Sequence, residues 1–199
     1  MSNVAVGFKP RTGRAVLVML ESDDNGVRVM ERREVPLLPA GEMDPYDAAE
    51  GLEPQAAREH VERSIATAQR LAVEVIRAAE QRCVQARHRL CGCGVLVGTG
   101  MPDWTTDEIL AVHVRMHKAE GELFRDVLVA GARACGFEPA TLPDKSALDA
   151  AARVLHLSRA QLDARLEQLG KSAGAPWGAY QKEAAAAALV ALDRDAGHR

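Results

Sequence analysis

The first 37 residues constrain this chain more than any other stretch, because few arrangements satisfy their pattern. Val4-Ala5-Val6-Gly7-Phe8 and Ala15-Val16-Leu17-Val18-Met19-Leu20 are short apolar runs, and Lys9-Pro10-Arg11-Thr12-Gly13 between them carries the Pro and Gly of a tight turn. Asp23-Asp24-Asn25-Gly26 is a second turn, and an Asn-Gly pair readily supplies the positive φ of a hairpin loop. From Val27 to Leu37 the side chains alternate, with Val27, Val29, Glu31 and Arg33 set against Arg28, Met30, Arg32 and Glu34. Three strand-like runs joined by two tight turns predict an antiparallel meander.

Beyond Leu37 the apolar pattern changes period. Residues 38–53 read as a connector with room for one helical turn, and Pro54 suits the first turn of a long helix. Ala57, Val61, Ile65, Ala68, Ala72, Val75, Ile76 and Ala79 keep to one face of that helix as far as about Leu90. Gly94-Val95-Leu96-Val97-Gly98 is apolar throughout, as expected of a parallel strand buried on both faces. A second long helix is predicted from Thr106 to about Cys135, with Thr105 or Thr106 as N-cap and Gly136 as its stop. Phe137–Leu142 forms a fifth strand in this reading. Helices over 144–155 and 158–169, the second capped by Ser158, a loop at 171–176 and a last alanine-rich helix over 177–192 complete it. Residues 194–199 are expected to fray.

Right-handed crossovers turn this order into an α/β fold. It is a five-stranded mixed sheet, the meander plus two strands from strand–helix crossovers, flanked by helices within one domain. Aromatic residues are only 4% of the chain, so the core must rely on Val, Leu, Ile and Ala, and small side chains predict helices lying close against the sheet.

This order of elements is the ribonuclease H-like one. The Val6-to-Leu20 hairpin, the stretch His113-x3-His117-x2-Glu120-Gly121-Glu122-Leu123-Phe124-Arg125 and Pro176-Trp177 ahead of Lys182-Glu183 resemble an uncharacterised bacterial family of short ribonuclease H-like proteins. Gly7-Phe8-Lys9-Pro10-Arg11-Thr12-Gly13 also resembles the opening of a Holliday-junction resolvase, in which a metal-holding aspartate precedes the proline; here that place is Lys9. The last helix, Tyr180 to Leu189, resembles the far side of the same centre, with Lys182 near the position of an aspartate and Glu183 beside it. The resemblance therefore implies a nuclease fold whose catalytic carboxylates are not retained. A lysine cannot help hold a cation, but it can attract an anion. Lys9, Arg11, Thr12 and Lys182 thus form a candidate site for a small anionic or nucleotide-like ligand in a non-nuclease, accessory protein. The alternative is that they are solvated hairpin and helix residues. Gly98-Thr99-Gly100 is a further candidate phosphate contact, although a lone Gly-x-Gly is weak.

The second long helix carries the other candidates. Its predicted solvent arc holds Arg115, Lys118, Glu122, Arg125, Asp126 and Arg133, while His113, His117 and Glu120 fall within the apolar arc at i, i+4 and i+7. Buried ionisable groups need partners. One reading is a satisfied hydrogen-bonded column. Another is a metal-dependent hydrolase or phosphodiesterase, in which His113 and His117 hold a divalent metal and Glu120 is base or ligand.

Net charge is −3, so nucleic acid is not excluded but not favoured as a partner. No run approaches the ~18 apolar residues of a membrane span. The opening residues lack a secretory pattern, so a cytoplasmic protein with reduced thiols is expected. Cys83, His88, Cys91 and Cys93 lie within eleven residues, but their spacing matches no common zinc module, and core thiols are the preferred reading. A third functional reading is a homodimer formed through the alanine-rich last helix or the edge of the meander.

Overall fold

The computed structural model describes residues 1–197. The meander forms as expected, with β1 (Asn3–Arg11), β2 (Arg14–Asp23) and β3 (Gly26–Pro36) pairing antiparallel. Its first turn is tighter than expected. Only Thr12 and Gly13 lie outside the strands, and Lys9-Pro10-Arg11 continue β1 against Arg14–Val16. On its other side β1 is paired only as far as Phe8, so Pro10 has no ladder bond to lose there.

The connector after β3 contains neither strand nor helix, but Ala48 N–H donates to the Asp44 carbonyl (2.9 Å) in one turn, and Leu37, Leu38, Tyr46 and Ala49 are buried. Helix α1 (Pro54–Gln85) starts at the expected proline and ends earlier than expected, since Arg87 turns into the left-handed region (φ 58°). Strand β4 (Arg89–Val97) accordingly begins five residues before Gly94 and pairs parallel with β1. The second long helix is broken. Thr105 caps α2 (Thr106–Leu110) in a reciprocal capping box with Glu108, Val112 is extended, and α3 (His113–Ala134) starts afresh.

Strand β5 (Ala140–Pro143) pairs parallel with β4, and a 3-10 turn (Asp144–Ser146) leads into α4 (Ala147–Val154). Ser158 caps α5 (Arg159–Ala173) as expected. Helix α6 (Ala179–Gly197) continues through the region expected to fray, while residues 198 and 199 lie outside the described part.

The sheet order is β3-β2-β1-β4-β5 with β2 antiparallel to its neighbours, which is the ribonuclease H-like arrangement. Helices α1 and α3 cover one face, over Val4, Val6, Phe8, Leu17, Met19 and Val95. Helices α4 to α6 cover the other, over Ala5, Val16, Val18, Leu20 and Leu96. The small side chains have the expected effect. A Cβ at Gly7 would lie 1.9 Å from the Ala184 carbonyl oxygen, and one at Gly94 2.2 Å from that of Ala187, so α6 rests with its backbone almost on the sheet. Residues Ala184 to Ala191 are all buried in this contact. The alanine-rich stretch is therefore used within the chain and offers no face to a second copy. The meander edge carries Arg28, Glu31, Arg32, Arg33 and Glu34, charges of the kind that oppose strand addition.

Candidate functional site

The carboxyl ends of β1, β4 and β5 come together, and four elements send charged side chains to that place. Val4, Val6 and Phe8 of β1 face the α1/α3 core, so the strand's period of two turns Ala5, Gly7 and Lys9 toward α6. Lys9 is only 9% exposed. Its ammonium bonds to the Asp144 carboxylate just after β5 and lies 2.9 Å from Glu183 Oε2 on α6. Arg125 on α3 donates to Asp144 Oδ2 (2.9 Å) and to the Gly121 carbonyl (2.8 Å), and lies 3.6 Å from Glu122. Glu122 is buried because Gly98, just after β4, has no side chain. A Cβ there would fall 2.2 Å from the Glu122 carboxylate.

Three carboxylates and two cations thus interlock. Burial works against the Lys9 ammonium, but Asp144 and Glu183 outweigh it and hold its pKa above the ordinary lysine value. Burial likewise opposes the Asp144 carboxylate, yet Lys9 and Arg125 keep its pKa below the ordinary range.

Beside this cluster is a pocket of about 370 Å³, walled by Gly98, Thr99, Glu122, Arg125, Asp144 and His117. Lys118 and Lys145 also line it. Ligands of open α/β sheets commonly bind in such crevices beyond the strands' carboxyl ends.

The expected site residues separate in space. Of Lys9, Arg11, Thr12 and Lys182, only Lys9 enters the cluster. Arg11 lies over the Tyr180 ring (4.6 Å to its centroid), and Thr12 is exposed in the turn. Lys182 pairs with Glu167 on α5, away from Lys9. Its neighbour Glu183 is the α6 residue that reaches Lys9. One residue along a helix is a rotation of about 100°, and resemblance alone did not fix which of the two points inward.

The histidine column is corrected in burial. Glu120 is buried (2% exposed), but His113 and His117 are exposed, as are Val112 and Val114. Helical phase gives the direction of a side chain around the axis. It does not tell that nothing covers this side of α3 at His113 and His117, although Met116 between them is buried. His117 Nε2 lies 3.0 Å from His113 Nε2, and His117 Nδ1 lies 3.7 Å from Glu120 Oε2. Glu120 Oε1 accepts the Asp47 N–H from the connector (3.2 Å). Asp47, His117 and Glu120 offer ligand atoms all within 4.8 Å of one another. Burial raises the pKa of Glu120, and the charges of Asp47 and Asp44 add to the rise against the opposing Asp47 N–H and His117. Asp47 had no motif to mark it.

Glu122 and Arg125, expected on the solvent arc, instead join the charged centre, Glu122 in the space that Gly98 leaves. The cysteines do not form a shared site: Cys83 and Cys93 belong to the core under α1 and α3, and Cys91 packs on the opposite side of the sheet. Burial raises the Cys83 thiol to about 11, as suits an inert core thiol.

No family model matches the chain, and no curated protein matches it. Among solved structures it is similar to RuvC of Thermus thermophilus, at 11% identity and a TM-score of 0.49 over 94% of this chain and 91% of that one. It is similar also to T. thermophilus RuvC in complex with a Holliday-junction substrate, at 14% identity and a TM-score of 0.47 over 94% and 90%. At such identities and scores neither likeness transfers a residue role to this chain. Among the described residues no helix is long and apolar enough to cross a membrane.

Proposed function

We propose that this protein is a ribonuclease H-like binding protein for a small phosphate-bearing ligand, and that it is not a nuclease. One observation carries the reading, the placement of charge around the 370 Å³ pocket. On its floor Asp144 is met by Lys9 and Arg125, and Glu122 by Arg125. At its lining, Lys118 and Lys145 have no carboxylate partner among the described residues. The anion-binding role expected of Lys9, Arg11, Thr12 and Lys182 moves in this reading to Lys118 and Lys145, with the backbone of Gly98 and Thr99 beside them.

The divalent ions that the resolvase resemblance implies do not fit the end of β1. An ammonium already bonds both carboxylates that would have to hold them, and a second cation there would meet like charge at close range. No catalytic step is derived through a metal at that position.

Thermal melting with inorganic phosphate and with nucleoside diphosphates tests the reading. A ligand at one hundred times its Kd adds roughly 2.7 kcal/mol of stability and raises the melting temperature. The shift is expected in the wild type and lost in the double variant Lys118→Glu, Lys145→Glu. An undiminished shift in that variant rejects the pocket, no shift with any phosphate ligand rejects the ligand class, and metal-dependent cleavage of DNA rejects the non-nuclease role.

A further inference from the structure

Asp44, Asp47 and Glu120 bring three carboxylates to the junction of the connector and the first turns of α3. Among the described residues no lysine or arginine pairs with any of them, and His117 alone opposes them. Glu120, at 2% exposure, is anchored through Oε1 by the Asp47 N–H, which leaves Oε2 directed at His117 Nδ1 across 3.7 Å. That separation is too long for a hydrogen bond. It is wide enough for an ion bonded to each atom at ~2.1 Å.

The far side of the same imidazole is also occupied. His117 Nε2 is 3.0 Å from His113 Nε2, a hydrogen-bonding distance between two ring nitrogens, only one of which can carry the proton in a neutral pair. With the proton on His117 Nε2, its Nδ1 lone pair faces Glu120 Oε2. A metal-binding histidine commonly donates its other N–H in this way, which fixes ring and tautomer.

We infer that Asp47, His117 Nδ1 and Glu120 form a binding site for a divalent first-row ion suited to mixed oxygen and nitrogen donors, Mn²⁺ above all, with His113 orienting the His117 ring. The site differs from the expected His113/His117 pair in its ligands. It takes two carboxylates and one imidazole, from two segments 73 residues apart in sequence. Such a donor set leaves coordination positions open to water or to a further ligand. His117 also walls the 370 Å³ pocket, so an anion bound there lies beside the ion. Ion binding itself does not depend on the pocket having a ligand.

Mn²⁺ is the probe, because thiols compete for it weakly and the chain has four cysteines. Chelator-stripped full-length protein is titrated, and free Mn²⁺ is followed by its electron paramagnetic resonance signal. One equivalent is expected to bind. His117→Ala and Asp47→Asn are expected to abolish uptake, as is the isosteric Glu120→Gln, with circular dichroism confirming that each variant folds. His113→Ala is expected to weaken binding about 10- to 100-fold without abolishing it, the range for loss of an orienting partner. The proposal is overturned if the wild type takes up no saturable Mn²⁺. It is overturned equally if His113→Ala abolishes uptake while Asp47→Asn and Glu120→Gln leave it intact, which would place the ion between the two imidazoles.

Discussion

Two groups of carboxylates meet on α3, which carries Glu120 of one and Glu122 of the other, and they handle the same electrostatic problem in opposite ways. Glu122, Asp144 and Glu183 meet Lys9 and Arg125, cations that the chain itself supplies. Among the described residues Asp44, Asp47 and Glu120 meet one imidazole and no lysine or arginine. The first group is closed, and its charges stabilise one another. The second is left with excess negative charge, one member of it buried, and is therefore the one suited to take a cation from solution.

The comparison is broken most directly at Lys9. Lys9→Met removes the ammonium and leaves Asp144 and Glu183 facing each other; since each keeps about a fifth of its side-chain exposure, the expected loss is on the order of 3 kcal/mol, the low end for a broken buried pair. Urea unfolding measures it, and a loss below ~1 kcal/mol would mean that water, and not Lys9, compensates these carboxylates.

Glu120→Gln sharpens the contrast through pH. Glu120 has its folded pKa raised above its ordinary 4.5, so the native state holds the proton more tightly and gains stability as pH falls through that raised value toward 4.5. Asp144 has its folded pKa lowered below 3.8, so its contribution is complete above 3.8 and lost as pH falls through the lowered value. Metal-free Glu120→Gln is therefore expected to be more stable than the wild type at pH 7, with the advantage vanishing near pH 4. Both proteins should then lose stability together at still lower pH. Melting temperatures across pH 3 to 8 check the order of these events, and an advantage that persists at pH 4 would mean that the charge of Glu120 is not its cause.

The smallest effect is expected at Lys182. Its partner Glu167 is more than half exposed, so Lys182→Ala should cost no more than ~0.5 kcal/mol and leave phosphate-induced melting shifts unchanged. A lost shift would return Lys182 to the ligand site.

Much of the architecture was legible in the chain alone. The Asn25-Gly26 turn, Pro54 at the head of α1 and the caps at Thr105 and Ser158 are local devices whose hydrogen bonds involve residues within a few positions, so the pattern that encodes them is contiguous. The dearth of aromatic residues correctly announced helices close to the sheet, and the contact of α6 with Gly7 and Gly94 is its realisation. The break at Val112 was not legible, because the helical periodicity runs through it.

The sites divide along the same line. Sequence marked His113, His117 and Glu120 by helical period, and Lys9, Arg11, Thr12 and Lys182 by resemblance and charge; of these, Lys9 and Glu120 are buried. It missed Asp47, Arg125 and Asp144, and it ranked Lys182 above Glu183 and placed Glu122 in solvent. Each of these acquires its role from a residue far along the chain: Asp47 from Glu120, Asp144 from Lys9, and Glu122 from the space that Gly98 leaves. Local sequence thus determined the strands, the helices and the faces they bury, since backbone hydrogen bonding and periodicity are short-range. Only the tertiary structure decided which carboxylates already have a cation, because pairing depends on distances of a few ångströms between segments that adjoin only once the sheet and its helices have closed.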